Sequence, residues 1–292
     1  MLAFSLTHLT FDAAMSDKSV KTASSSHRTF EGLRQVDDDG NEFWSARQLA
    51  KVLDYSEYRH FLPVVERAKE ACRNSEQSIE DHFEDVLEMV EIGSGALRPV
   101  NDFRLSRYAC YLIVQNGDPS KPVIAAGQTY FAMQTRRQEL EDQRRLLMRD
   151  ELTQHNKDLA AAAKQAGVET PLDYAVFQDH GYKGLYGGLG AKDIHAKKGL
   201  KKSQKILDHM GSTELAANLF RATQAEDKLR REGIKGKAAA NRTHLEVGRK
   251  VRQTIEELGG TMPENLPTPE KSIKQLERAQ LRLEKKDDEG NE

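Results

Sequence analysis

Between Gly181 and Lys205 the chain carries seven lysines, Lys183, Lys192, Lys197, Lys198, Lys201, Lys202 and Lys205, against one acid, Asp193. Read as a helix, Lys197, Lys198, Lys201, Lys202 and Lys205 fall at i, i+1, i+4, i+5 and i+8, a single stripe, with Leu200, Ile206 and Leu207 turned inward. A stripe of like charge repels itself in the free protein, and an anionic partner relieves that repulsion. Arg249, Lys250 and Arg252 form a second basic cluster further on. Such a surface binds phosphate without sequence preference, with a log–log salt slope of roughly −5 if about six phosphates are neutralised. An acidic protein face is the rival target and gives similar salt sensitivity.

The remaining reactive residue types lack the spacing that chemistry needs. The run Gly184 to Gly190 is followed by Ala191-Lys192-Asp193, not by Gly-Lys-Ser/Thr, and no strand precedes it, so neither a phosphate loop nor a dinucleotide fingerprint is present. Its expected role is a flexible turn that lets Tyr182, Tyr186 and neighbouring lysines reach a partner. His180, His195 and His209 are about 14 residues apart, without the i, i+3 or i+4 pairs or nearby cysteines of helical zinc sites. Glu80-Asp81 and Glu84-Asp85 have i, i+4 spacing, but no paired Lys or His and no second acidic set joins them. No catalytic residue, no metal ligand and no cofactor is therefore expected.

Composition narrows the class. With 44 basic and 46 acidic residues in 292, a uniformly basic DNA-coating protein is excluded. Charge is instead segregated: 74–97 holds seven acids and no Lys or Arg. Two cysteines, Cys72 and Cys110, stand in unrelated contexts, which suits a reducing cytoplasm and core positions. No apolar run approaches the ~18–20 residues of a membrane span. Met1 to Ala14 lacks a basic n-region and is broken by Thr7, His8, Thr10 and Asp12, so it reads as an unstructured extension, with Met15 as an alternative start.

The elements that must position these charges follow from periodicity and caps. Phe30 to Val36 and Glu42 to Trp44, joined through Asp39-Gly40, predict a hairpin. Ser45 caps a helix carrying Leu49, Val52 and Leu53. Ser56 opens another with Phe61, Val64, Val65, Ala68 and Cys72, which Pro63 should kink or restart. His82 to Ile92 and Arg98 to Leu105, around Gly93-Ser94-Gly95, read as a second hairpin, the first half being equally readable as an acidic helix. Ser106 caps an apolar helix ended by Asn116-Gly117. From Ser120 and Pro122 to Ala166 one long helix is expected; about 45 residues would span about 65 Å, so its far half must project, pair or break. Thr170-Pro171, Ser212 or Thr213, Ala238 to Leu258 and Ser272 mark later helices. The resulting fold class is an α+β N-terminal domain, then a long helix, then a mostly α-helical C-terminal domain. Its expected divisions are an extension at 1–28, the α+β domain at 29–135, a connecting helix at 136–166, the helical domain at 167–282 and a charged tail at 283–292.

Particular strings carry a resemblance. Trp44 to Leu49 (WSARQL), Asp54 to Phe61 (DYSEYRHF), Leu105 to Pro119 and Ile124 to Phe131 closely resemble the DNA damage-inducible protein D family, and so do His180 to Gly188, Ile206 to Arg221 and Pro263 to Pro269. The first ~110 folded residues resemble the BRO-type N-terminal domain of phage antirepressors and viral DNA-binding proteins. The resemblance covers about Phe30 to Leu276. It implies induction in the SOS response and antagonism of the RecA-type recombinase filament on single-stranded DNA, by binding and not by catalysis. Filament, DNA or both are the expected partners, and a second copy could pair through the long helix. The alternative is an antirepressor-like transcription regulator whose N-terminal domain reads duplex DNA through Arg47, Gln48, Lys51, Tyr58 and Arg59.

Overall fold

A computed structural model of the protein describes residues 30–91 and 96–289, with side chains to 282. The expected extension, the choice between Met1 and Met15, the Gly93-Ser94-Gly95 turn and the last tail residues lie outside the described residues. The chain divides into two compact units, 1–136 and 137–292.

In the first unit an antiparallel sheet of order β1-β2-β4-β3 packs against helices. Strands β1 (Gln35–Val36) and β2 (Glu42–Ser45) meet through a turn in which the Asp37 carboxylate accepts from the amides of Asp39 and Asn41, and Gly40 takes φ +86°. The hairpin arms are shorter than the sequence predicts, because residues 30–32 are helical: Phe30 stacks on Trp44 at 4.7 Å and its carbonyl accepts from the indole N–H. Ser45 caps α1 (Ala46–Val52) by accepting from the Gln48 amide. Helix α2 (Tyr58–Asn74) begins two residues after Ser56 and runs through Pro63 without restarting. Phe61, Val64, Val65, Ala68 and Cys72 bury one face of α2, and this burial outweighs the one backbone bond that proline cannot donate.

The acidic segment is a strand, not a helix. Strands β3 (Phe83–Glu91) and β4 (Leu97–Leu105) pair in register from Phe83↔Leu105 to Glu91↔Leu97. Val86, Glu88 and Val90 alternate on the half-buried face, which is the period of a strand. Ser106 then caps α3 (Arg107–Gln115), and α4 (Pro122–Gln165) runs from the first unit into the second.

The second unit is helical. Leu152, Leu159, Ala162, Ala163 and Ala166 of α4 are buried in its core, and Arg145 is buried too, donating to the carbonyls of Met210 and Lys271. Thr170 and Asp173 form a reciprocal capping box at the start of α5 (Pro171–Leu185). Hydrogen bonds from Thr170, then from Lys237, hold the Asp173 carboxyl down at about 2. Helix α5 crosses α8 (Lys237–Glu257) at very short range, which only glycine permits. A methyl group on Gly248 would lie 2.8 Å from the Gly181 carbonyl oxygen, 2.9 Å from the Leu185 nitrogen and 3.0 Å from the Gly184 Cα. Gly181 and Gly184 therefore serve helix packing, and the expectation of a flexible turn that lets Tyr182 and Tyr186 reach a partner is corrected: Tyr186 is buried and Tyr182 half-buried.

Since all three atoms facing Gly248 belong to backbone, Gly248→Ala must push the two helices apart. It should cost about 1–3 kcal/mol or more in urea denaturation, and an unchanged midpoint would contradict the close crossing.

Candidate nucleic-acid interface

The lysine block is not one helical stripe. Helix α6 (Ala191–Lys197) stops at Lys198, where Gly199 takes φ +62°, the Gly199 amide donates to the Ala196 carbonyl and the Leu200 amide to that of His195. This is the paired-bond ending that a glycine after the C-cap makes favourable. The chain then turns through 200–205 into a short 3-10 turn, Ile206–His209. The turn is ordered: the His195 Nε2 lies 3.1 and 3.2 Å from the carbonyl oxygens of Lys201 and Gln204, and the Lys201 amide donates to the Gln204 side chain at 2.6 Å.

Lys198 points into the protein. Its side chain is 7% exposed, and its ammonium donates at 2.8 Å to the fully buried Glu214 of α7 (Ser212–Arg231). The second Glu214 oxygen accepts from the Tyr186 hydroxyl at 2.8 Å, and Asn218 donates to that same hydroxyl. Burial pushes the Glu214 carboxyl above its ordinary range, against the opposing pull of Lys198 and Tyr186. Burial, then the Glu214 charge, raises the Tyr186 hydroxyl well above its usual value.

Lys192, Lys197, Lys201, Lys202 and Lys205 remain on the surface, and among the described residues none has a carboxylate at ion-pair distance. They span 14 residues, on α6 and on the turn that His195 and Gln204 hold. Lys205 also lines a polar cleft of mixed charge with Arg149, Lys274 and Arg278 and with Asp150, Asp208 and Glu277. The other expected contacts divide. Lys183 pairs with Asp179 at 2.7 Å, which raises its pKa. Arg252 forks onto Glu264, both bonds 2.8 Å, and donates to the Leu185 carbonyl. Burial pushes Glu264 up, but Arg252, with a backbone hydrogen bond and the nearby Lys197 charge, reverses this and the carboxyl ends below its usual value. Arg249 and Lys250 instead open onto a groove of 730 Å³ between α7 and α8, shared with Phe220, Lys228 and Arg231. Phe220 is 52% exposed.

In the first unit the expected reading residues are partly committed to structure. Arg47 donates twice to the Asn101 carbonyl and lies 4.1 Å over the Tyr58 ring. The Tyr58 hydroxyl donates to buried Asp102, and burial, followed by that carboxylate, raises its pKa strongly. Arg59 pairs with Glu57 at 2.7 Å; Lys51 is exposed and Gln48 half-buried.

An α+β unit of this topology followed by a helical unit defines a two-part class, and comparison with known proteins gives both parts. Residues 32–132 match the BRO family, N-terminal domain, and residues 140–276 match the DinD C-terminal domain. The chain is 66% identical over 270 residues to "DNA damage-inducible protein D" of Escherichia coli (strain K12), covering 89% of this chain and 98% of that one. It belongs to the DNA damage-inducible protein D family. No helix among the described residues is long and apolar enough to cross a membrane.

Removing the Lys198 ammonium would strand a buried carboxylate. Lys198→Ala should lose about 3–5 kcal/mol of stability, whereas Lys201→Ala should lose almost none. The folded-state pKa of Glu214 lies above its unfolded value, so the stability linked to it is present at low pH and is lost as pH rises through the folded value. The Lys198→Ala deficit should therefore be larger at pH 8 than at pH 5 in denaturant titrations; an equal deficit at both would contradict the pairing.

Proposed function

We propose that the chain acts in the bacterial DNA-damage response by binding, without chemistry on a substrate, and that its target is a RecA-type recombinase filament on single-stranded DNA. The observation that carries this reading is the ordered segment with five exposed lysines, Lys192, Lys197, Lys201, Lys202 and Lys205, none of them within ion-pair distance of a carboxylate among the described residues. A fixed segment displays its charges with less ordering entropy to lose on binding than a floppy tail would. Membership of a family named for induction by DNA damage supports the setting, and a BRO-type first unit supports contact with DNA. A filament held in one state is less able to invade duplex DNA, so binding alone suffices for antagonism.

The antirepressor-like reading needs base-edge contacts from the first unit. Arg47 and Tyr58 are tied to Asn101 and Asp102, which leaves Lys51 as the freest of the expected readers. That reading is the weaker.

Replacing Lys201, Lys202 and Lys205 together with Ala should weaken binding to recombinase-coated single-stranded DNA and, where the contacts are to phosphate, lower the log–log salt slope by about 2. Unchanged affinity at low salt would remove this segment from the mechanism. Titration of duplex, bare single strand and coated single strand in parallel separates the two readings: a strong duplex sequence preference would favour the regulator.

A further inference from the structure

We propose that the second unit holds a divalent transition-metal site, of the zinc class, formed by His155 and Asp158 of α4 with Glu226 of α7. One ligand atom from each of the three lies within 4.8 Å of the other two. Three donors about 2.1 Å from one ion stand about 3.4–3.6 Å apart, so side-chain rotation that draws the donors together by up to about 1.4 Å completes the set. His155 and Asp158, at i and i+3, share a helical face, and Glu226 approaches from the neighbouring helix.

Two features separate this group from an ordinary surface cluster. The His155 ring makes no hydrogen bond or ion pair among the described residues, and its Nδ1 is buried without a partner. A buried ring nitrogen left unmatched costs stability, and a metal ion bound at that nitrogen would satisfy it. The carboxylates are also held in place. The Arg230 guanidinium donates at 3.0 Å to one Glu226 oxygen and, more weakly, to the Asp158 carbonyl, while Gln154 reaches the Asp158 carboxylate at 3.4 Å. Arg230 thus ties α7 to α4 beside the site and leaves the other Glu226 oxygen for an ion. Its positive charge moderates affinity, so the site suits an exchangeable ion better than a permanent one. One imidazole with two carboxylates is a borderline donor set that favours zinc, nickel or cobalt over magnesium. Bound metal would clip α4 to α7.

The test uses the full chain, freed of metal with a chelator. Isothermal titration with Zn²⁺ should give one site with a Kd in the micromolar range, and Zn²⁺ should raise the thermal midpoint. Co²⁺ should produce a visible d–d band of the same stoichiometry. His155→Ala and the near-isosteric Glu226→Gln should each weaken this binding by about 100-fold or more, at least the loss typical of supporting residues around a metal. His180→Ala, which alters a histidine away from the cluster, should leave it unchanged. Absence of a one-to-one site below 100-fold protein excess of Zn²⁺, or its persistence in Glu226→Gln with native circular dichroism, would overturn the proposal.

Discussion

The second unit depends on how it buries one carboxylate. Glu214 has no solvent exposure, and an isolated charge in such a place costs several kcal/mol. The cost is offset because Lys198 and Tyr186 both donate to it and Asn218 completes the chain of bonds. Those partners come from the end of α6, the end of α5 and the second turn of α7. One buried anion therefore fixes the point where the basic segment leaves α6 and the point where the chain enters α7. Between those anchors, the turn held by His195 has little freedom, and its lysines face outward because its one inward lysine is already satisfied.

The first unit repeats the device with different donors. Asp102, 2% exposed, accepts from the Ser45 hydroxyl at 2.6 Å, the Tyr58 hydroxyl at 3.0 Å and the Arg47 amide at 3.1 Å. It ties β4 to the starts of α1 and α2. The Glu88 carboxyl is raised chiefly by its hydrogen bond with Asp102 and then by burial. Residues that look from the sequence like DNA readers are thereby used to assemble the unit. In both units a charge that appears functional in one dimension is structural in three.

What could be read from the sequence was whatever short-range rules control. Ser45, Ser106 and Thr170 announce their helices because an N-cap is a local contact. Gly40 announces its turn, and the uninterrupted stretch after Pro122 announces α4. The basic segment carries its own stop signal, which a stripe reading passes over: Gly199 directly follows two lysines, the usual place for a left-handed helix ending. Lys198 could not be told from Lys197 without Glu214, which lies 16 residues away. Nor could the glycines of α5 be read as packing devices without Gly248 opposite them. Long-range pairing decides which polar residues are spent internally, and the periodicity of one segment is silent about it.

The proposed function requires the lysine turn to be a preformed, ligand-facing surface anchored through Glu214. Amide hydrogen exchange of the full chain, alone and with recombinase-coated single-stranded DNA, addresses it directly. Peptides covering 199–205 should already exchange more slowly than an unstructured chain in the free protein and should slow further in the complex. Exchange at the unstructured rate in the free state, or no change on adding the filament, would contradict it.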